Sequence, residues 1–327
     1  MKKNRFHLTD LPSAVIIFLV VFVYFSVSAN GFFSGYNFAS ILTQSVIPCL
    51  LVLGVAIVIM SAGLDLSVGN VLTLSGVTCG LMLKADMPVA LAMLVGVLTG
   101  MTCGFLNGVM VAKMKLPPFI ATLAMLNVAS GLANTLSRKK PVYWTRENFP
   151  ILDKIGTGTV LGIPVFAVFG VLVMAIVIFI FYRTRLRTNV YTLGGNEEVL
   201  HLSGVSVAKW KIIVFTLSGT MAGIGGVLMD ARVTCADPTV GTGLEFAAVV
   251  GAVIGGNLQN TGKGNLFGAI LGALTLATIR NGLSIMHMNN YWQMVLTGAI
   301  LVVGMVIREL SVRIEHRRKL KEAEVAA

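Results

Sequence analysis

The sequence predicts an all-α integral membrane protein, a polytopic bundle of about ten transmembrane helices, and three observations carry that prediction. Hydrophobic residues make up 56% of the 327-residue chain and charged residues only 12%, about half the charged share of a typical soluble domain. Ten apolar windows can be drawn, nearly all long enough to cross a bilayer. The basic residues fall mainly on one side of the map those windows define. An ordinary soluble globule is excluded by the composition, and so is a disordered chain.

A membrane-crossing helix needs about 20 mainly apolar residues, and windows of this kind lie at 13–29, 41–62, 66–83, 88–112, 118–136, 163–182, 210–231, 244–258, 266–286 and 291–308. The first follows Lys2, Lys3 and Arg5 as a signal peptide would, yet Ser28-Ala29-Asn30-Gly31 is a poor cleavage site and many apolar segments follow. It reads as a retained span. At a rise of about 1.5 Å per residue the eighth window reaches only ~22 Å, short of the ~30 Å hydrocarbon layer. Gly255-Gly256 closes it, so a short or broken helix is expected there.

The formal charge is +11, which in a soluble protein would point to nucleic acid. Here placement accounts for it. With the amino terminus inside, ten crossings put 17 of the 25 basic residues in the cytoplasm, including Lys113, Arg183, Arg185, Arg187, Lys209, Lys211 and Lys263, as the positive-inside rule requires. No nucleic-acid partner is implied. Arg280 falls within a span, and the segment around Arg138-Lys139-Lys140, at 137–162, is read as external. The expected organisation is a cytoplasmic amino terminus over 1–12, a transmembrane permease domain over 13–308 and a basic cytoplasmic tail over 309–327.

An inverted five-helix repeat is faintly visible. Gly96, Gly100, Asn107 and Gly108 match Gly268, Gly272, Asn281 and Gly282, while Gly63-Leu64-Asp65 echoes Gly243-Leu244-Glu245. An odd number of crossings per unit makes the second copy enter from the opposite side, an arrangement that transporters use. Chance matching in a Gly-rich chain explains the same coincidence equally well.

Catalytic constellations are missing from the sequence. Cys49, Cys79, Cys103 and Cys235 are widely spaced, with no metal or disulfide pattern, and read as packing residues. His7, His201, His287 and His316 are scattered. The stretch Gly256 to Gly264 resembles a phosphate loop but has one residue too many between its glycines and Gly after Lys263. No catalytic residue, metal or bound cofactor is expected. Nucleotide energy, if used, must come from another chain.

Carboxylates in a membrane segment are more telling, since Asp at a helix centre costs about 2.5–3.5 kcal/mol on insertion scales. Asp65, followed by Leu66 and Ser67, can cap the next helix, and Glu245 after Gly241-Thr242-Gly243 can do the same. Lining a solute path is the competing role for both. Asn107, Asn127, Asn257 and Asn281 offer neutral hydrogen bonds to a polyhydroxylated solute or serve as interhelical glue.

The polar stretch at 188–208 separates the sixth and seventh spans and reads as one short helix in a cytoplasmic loop. Asn196 is an N-cap, Glu197 and Glu198 suit the positive end of the dipole, and Gly204 can end the helix in a left-handed conformation. Val199 and Leu202 share a face. Docking into a cytoplasmic partner fits this segment better than lying on the bilayer.

Together these motifs make the chain resemble the permease subunit of ribose-type ABC sugar importers, a group that also includes xylose, other simple-sugar and autoinducer-2 permeases. The likeness rests on Gly63-Leu64-Asp65-Leu66-Ser67-Val68-Gly69, Gly194-Gly195-Asn196-Glu197 through Leu202-Ser203-Gly204-Val205, Pro238-Thr239 with Gly241-Thr242-Gly243-Leu244-Glu245, and Gly255-Gly256 followed by Gly262-Lys263-Gly264. Asn281-Gly282-Leu283 and Tyr291-Trp292-Gln293 extend it. The resemblance implies a second permease chain, identical or a close paralogue. It also implies a cytoplasmic ATPase that carries ATP and Mg and binds Gly194 to Gly204, a periplasmic or surface solute-binding protein, and residence in a bacterial plasma membrane with both termini cytoplasmic.

Departures from the family pattern are local. After Glu245 the family usually has an apolar residue and then Asp, whereas here Phe246 is followed by Ala247. Phe246 either narrows a path or fills a gap. Val199 and Leu200 stand where small Ala residues are usual. A charge-poor core favours a neutral solute, which sugars satisfy. An ion-gradient-driven secondary transporter is the alternative, since such carriers also use inverted repeats and broken helices.

Overall fold

The computed structural model describes residues 13–259, 261–289, 291–293, 295, 296, 298, 299 and 302. The expected cytoplasmic ends at 1–12 and 309–327 and most of the tenth window lie outside the described residues. Helices α1 (Ser13–Ser28), α2 (Gly35–Met60), α3 (Val68–Lys84), α4 (Val89–Ala112) and α5 (Pro118–Ser137) are followed by a short α6 (Pro150–Thr157) and by α7 (Val165–Arg183). Two small helices come next, α8 (Leu186–Gly195) and α9 (Glu197–Leu202), then α10 (Val207–Val233), α11 (Leu244–Ile254) and α12 (Leu266–Ile285). Six of these, α2, α4, α5, α7, α10 and α12, are long and apolar enough to cross a membrane, while α1, α3 and α11 are shorter apolar helices.

Each helix start has a local cause. Ser34 caps α2, its hydroxyl accepting from the Asn37 amide at 3.3 Å, so α2 begins six residues before the window that announced it. Pro88 and Pro117 stand just ahead of α4 and α5, where a missing amide costs no helical hydrogen bond. The eighth window yields only 11 helical residues, and its C-terminal Gly256 has φ +95°. The helix therefore stops well short of a full crossing, as its length and glycine pair require.

The 188–208 segment differs from the single helix expected. Two helices form because Asn196 adopts an extended conformation (φ −159°, ψ 109°) and turns its side chain onto the amides of Glu198 (2.9 Å) and Val199 (3.3 Å). A strong N-cap both starts α9 and ends α8. Gly204 closes α9 with φ +74°, a region open to Gly without steric penalty.

The bundle is organised around α2, which is buried along most of its length, and α10, which packs on α2, α3 and α4. Gly96, Gly100, Gly104 and Gly108 recur every four residues and form one stripe of α4. They let α10 approach so closely that a Cβ on Gly100 would lie 2.6 Å from the Gly223 Cα, and one on Gly108 would lie 2.6 Å from the Ile212 Cα. Because lipid tails are as apolar as Leu, membrane helices associate through such small-residue packing and not through water exclusion. The outer faces of α1, α4, α5 and α7 expose Val20, Leu94, Leu132, Val171 and Phe179, as lipid contact permits.

The two ends of the bundle differ. At one end β1 (Val142–Tyr143) pairs antiparallel with β4 (Cys235–Ala236), and α6 packs on the C-terminal end of α10. β2 (Thr159–Val160) and β3 (Ile163–Pro164) form a hairpin ahead of α7. The other end carries α8, α9, the turn after α4 and the loop from Gly255 to Asn265. Gly219→Leu should lower the thermal midpoint of the detergent-solubilised protein, costing about 1–3 kcal/mol through overpacking against α4. Gly131→Ala, where a Cβ would meet no neighbouring helix within 4 Å, should keep or raise the midpoint, since Ala is the better helix former.

Candidate functional site

Between α2 and α3 the chain leaves the helical state for Ser61 to Ser67, inside the bundle. Irregular backbone at membrane depth survives only when its polar groups find partners within the protein, and Asp65 supplies several. One carboxylate oxygen accepts from the Ser67 amide (2.9 Å) and hydroxyl (2.7 Å), and the other accepts from the Ser218 hydroxyl on α10 (2.8 Å). Asn107 on α4 donates to the Ser67 hydroxyl at 2.9 Å, and Thr122 on α5 donates to the Leu64 carbonyl at 3.2 Å. Asp65 is fully enclosed. It takes up the Ser67 amide ahead of α3, and bonds from Ser218, Asn107 and Thr122 to Asp65, Ser67 and Leu64 tie α10, α4 and α5 to the break.

Glu245 reaches the same turn of α3 from the opposite direction. One of its oxygens accepts from the Gly243 amide at 3.1 Å, within the start of α11, and the other is buried without a partner among the described residues. A Cβ on Gly69 would strike that second oxygen, so the carboxylate lies directly against the first turn of α3. The Gly241 amide donates to the Thr73 hydroxyl of α3 at 2.9 Å. Both Gly-Leu-acid motifs thus converge on the amino-terminal end of one helix, whose dipole favours negative charge.

The remaining expected residues are placed apart. Asn257 is engaged within its own loop, donating to the carbonyls of Ala252 (3.0 Å) and Asn265 (3.3 Å) and accepting from the Asn265 amide (2.8 Å). Asn127 donates to the Leu123 carbonyl of its own helix, 3.0 Å away, and to no other group among the described residues. Asn281 is buried on α12 with its carbonyl oxygen unpartnered among the described residues. Phe246 is 57% exposed and fills no gap among the described helices. Asp230, not among the residues expected from the sequence, is buried on α10 against Gly76 of α3 with one carboxylate oxygen unpartnered among the described residues. The only acid in an otherwise apolar window was the signal that could have found it. Among the described residues no group of three His, Cys, Asp or Glu side chains could hold a metal.

The α8–α9 pair is fastened to the bundle and open to its surroundings. Gly194 lies so near the end of α2 that a Cβ there would strike the Met60 carbonyl, and one on Gly262 would strike the Tyr191 carbonyl. The Tyr191 hydroxyl donates to the Gly264 carbonyl at 2.6 Å, and Lys211 pairs with Glu197 at 2.7 Å. Gly195, Asn196, Ser203 and Gly204 are exposed. Leu200 is buried, whereas Val199 and Leu202 are 49% and 78% exposed. Of the two residues that depart from the family's small Ala, only Val199 faces outward.

A protein-family model described as a branched-chain amino acid transport system permease component matches residues 37–305. The chain belongs to that permease family. The ribose import permease protein of Haemophilus influenzae is 34% identical over 93% of this chain and 94% of its own length. The D-allose transport system permease protein of Escherichia coli is 36% identical over 90% of each chain. The fructose import permease protein of Rhizobium meliloti is 32% identical over 94% of this chain and 88% of its own. Among solved structures, an inward-facing ABC transporter of metal-chelate type aligns with TM-score 0.51 over 92% of this chain and 97% of that chain at 15% identity, a likeness of fold alone. The resemblance to ribose-type permeases therefore stands, and the permease is a multi-pass inner-membrane transport subunit of the ABC-importer class.

Ser67→Ala removes a donor from Asp65 and the acceptor of Asn107, and should destabilise the permease by about 1–3 kcal/mol. Thermal unfolding beside Asn127→Ala, whose exposed side chain bonds only its own helix and should be neutral, checks this.

Proposed function

We propose that the permease moves a neutral sugar across the membrane by alternating access, and that a cytoplasmic ATPase drives it through α8 and α9. The observation that carries this reading is the exposed Val199–Leu202 face, three residues apart on a helix pair mounted rigidly against α2. An apolar face held this firmly, with charged Glu197 and Glu198 at its start, is suited to fit a groove in a partner. Motion imposed on α8 would pass to Met60 and so to α2, because Gly194 leaves no slack between them.

The remaining parts follow from this reading. Both termini lie in the cytoplasm with α8 and α9, and the β1–β4 end faces a periplasmic or surface solute-binding protein. A second permease chain, identical or a close paralogue, forms the other half of the pathway. ATP and Mg belong to the ATPase and none to this chain. In the inverted repeat, α3 and α4 correspond to α11 and α12. That pairing is supported by Asp65 and Glu245 preceding or opening α3 and α11, and by Gly96 and Gly268 meeting the neighbouring backbones of Ser75 and Gly255. Ribose, allose and fructose in the relatives' names support a sugar as solute, and the charge-poor core suits an uncharged one.

Proteoliposomes containing the permease, its ATPase and its binding protein should take up sugar only with ATP. Leu202→Glu should lower that uptake at least about tenfold, as expected for a buried unpaired charge at an interface, with unchanged abundance in the membrane. Uphill transport by the permease alone under an ion gradient would instead establish a secondary transporter.

A further inference from the structure

Near the β1–β4 end, α2, α10, α11 and α12 enclose a cavity of about 190 Å³ whose walls include two arginines, Arg232 and Arg280. The rest of the lining is apolar apart from Gln44, and among the described residues it contains no carboxylate. Arg232 has its guanidinium 5.7 Å from the Phe166 ring centre and at 3.5 Å from the Thr43 carbonyl, a contact at the outer limit of a hydrogen bond. Arg280 has no ion-pair or hydrogen-bond partner among the described residues. The nearby acids are turned elsewhere, Asp230 toward Gly76 and Glu245 toward Gly69, both on α3. Two half-buried guanidiniums sharing one cavity without a counter-charge are costly, and ionisable groups kept at membrane depth generally serve a ligand or a partner.

We propose that this cavity is an oxyanion site in which Arg232 and Arg280 together hold a carboxylate or phosphate group. The planar guanidinium fork matches both groups, and two forks can neutralise one of them while satisfying several of its oxygens. Room for the anion comes from Ala247, whose side chain on that wall is a single methyl group. Pro48, in the α2 wall, lacks the amide that would otherwise engage the Gln44 carbonyl, which loosens α2 beside the site. The inference stands on the cavity and not on the sugar reading, and the anion's source is a free ion, an acid group on a solute or a lipid headgroup.

Calorimetric titration of the full-length permease in phosphatidylcholine nanodiscs with inorganic phosphate, glucuronate and glucose tests the site. At least one of the two anions should bind about tenfold tighter than glucose. Binding of phosphate alone would identify a free ion and binding of glucuronate alone a solute acid. Binding of either anion that disappears when phosphatidylglycerol replaces part of the phosphatidylcholine would identify a headgroup, and each of these results supports the site. Ala247→Asp, which supplies an internal counter-charge, and Arg280→Gln should each weaken anion binding about tenfold, while Ala247→Asn, of the same shape without charge, should stay near wild type. If Ala247→Asp fails to fold, Arg280→Gln decides. Absence of anion binding, undiminished binding in Arg280→Gln, or equal losses in the Asp and Asn variants would overturn the proposal.

Discussion

The structure depends on one constraint: backbone that leaves the helical state inside a membrane must be satisfied by the protein itself. Ser61 to Ser67 meets it in parts: the Ser61, Ala62 and Gly63 amides bond back to α2 carbonyls, Thr122 takes the Leu64 carbonyl, and the Asp65 carboxylate gathers the Ser67 amide and hydroxyl and the Ser218 hydroxyl of α10. Without the Asp65 bonds the buried Ser67 amide would have no solvent to turn to. A carboxylate is suited to the task because it accepts at both oxygens; an amide would give one acceptor and two donors. The expense of burying an acid is the price of ending one helix and starting another at the bundle's centre.

The same constraint explains why glycine concentrates where it does. Once helix ends are anchored internally, neighbouring helices can approach to backbone contact, as α4 and α10 do, and the resulting interface has little freedom to slide. Gly251 and Gly255 of α11 meet Gly272 and Gly268 of α12 in a similar manner. Rigid pairs separated by broken helices are suited to tilt as bodies, since packed interfaces have discrete arrangements and do not deform continuously.

Much of this was legible in the sequence. Helices announced themselves by apolar length, and the weak eighth window was short for the reason its Gly255-Gly256 end implied. The caps at Asn196 and Gly204 could be read from local chemistry, because N-cap and left-handed preferences act over three or four residues. Convergence of Asp65 and Glu245 on α3 could not be read, since it depends on how α11 docks, a contact 180 residues distant. Asp230 was hidden by a rule of thumb: a long apolar window absorbs one acid without changing its average. The two-helix form of 188–208 was missed because a cap ends one helix as well as starting the next, and because α8, poor in helix formers, is held by burial of Leu186, Val190 and Leu193, which local propensity does not report.

Position relates the break to the α8–α9 pair. Gly194 of α8 abuts Met60, the last residue of α2, and Ser61 begins the irregular stretch that Asp65 holds. Gln259 of the adjacent loop donates to the Gly63 carbonyl at 3.1 Å, so a second strut reaches the same stretch. A displacement of α8 would be delivered at a corner where the Ser61, Ala62 and Gly63 amides still bond back to α2 carbonyls, and beyond it, from Leu64 to Ser67, the bonds run through side chains. Side-chain bonds tolerate small rotations that an i to i+4 ladder does not, so Leu64 to Ser67, held by Thr122, Asn107 and Ser218, is the part of the corner suited to turn such a push toward α5, α4 and α10. A continuous helix at this place would transmit the same push only along its axis.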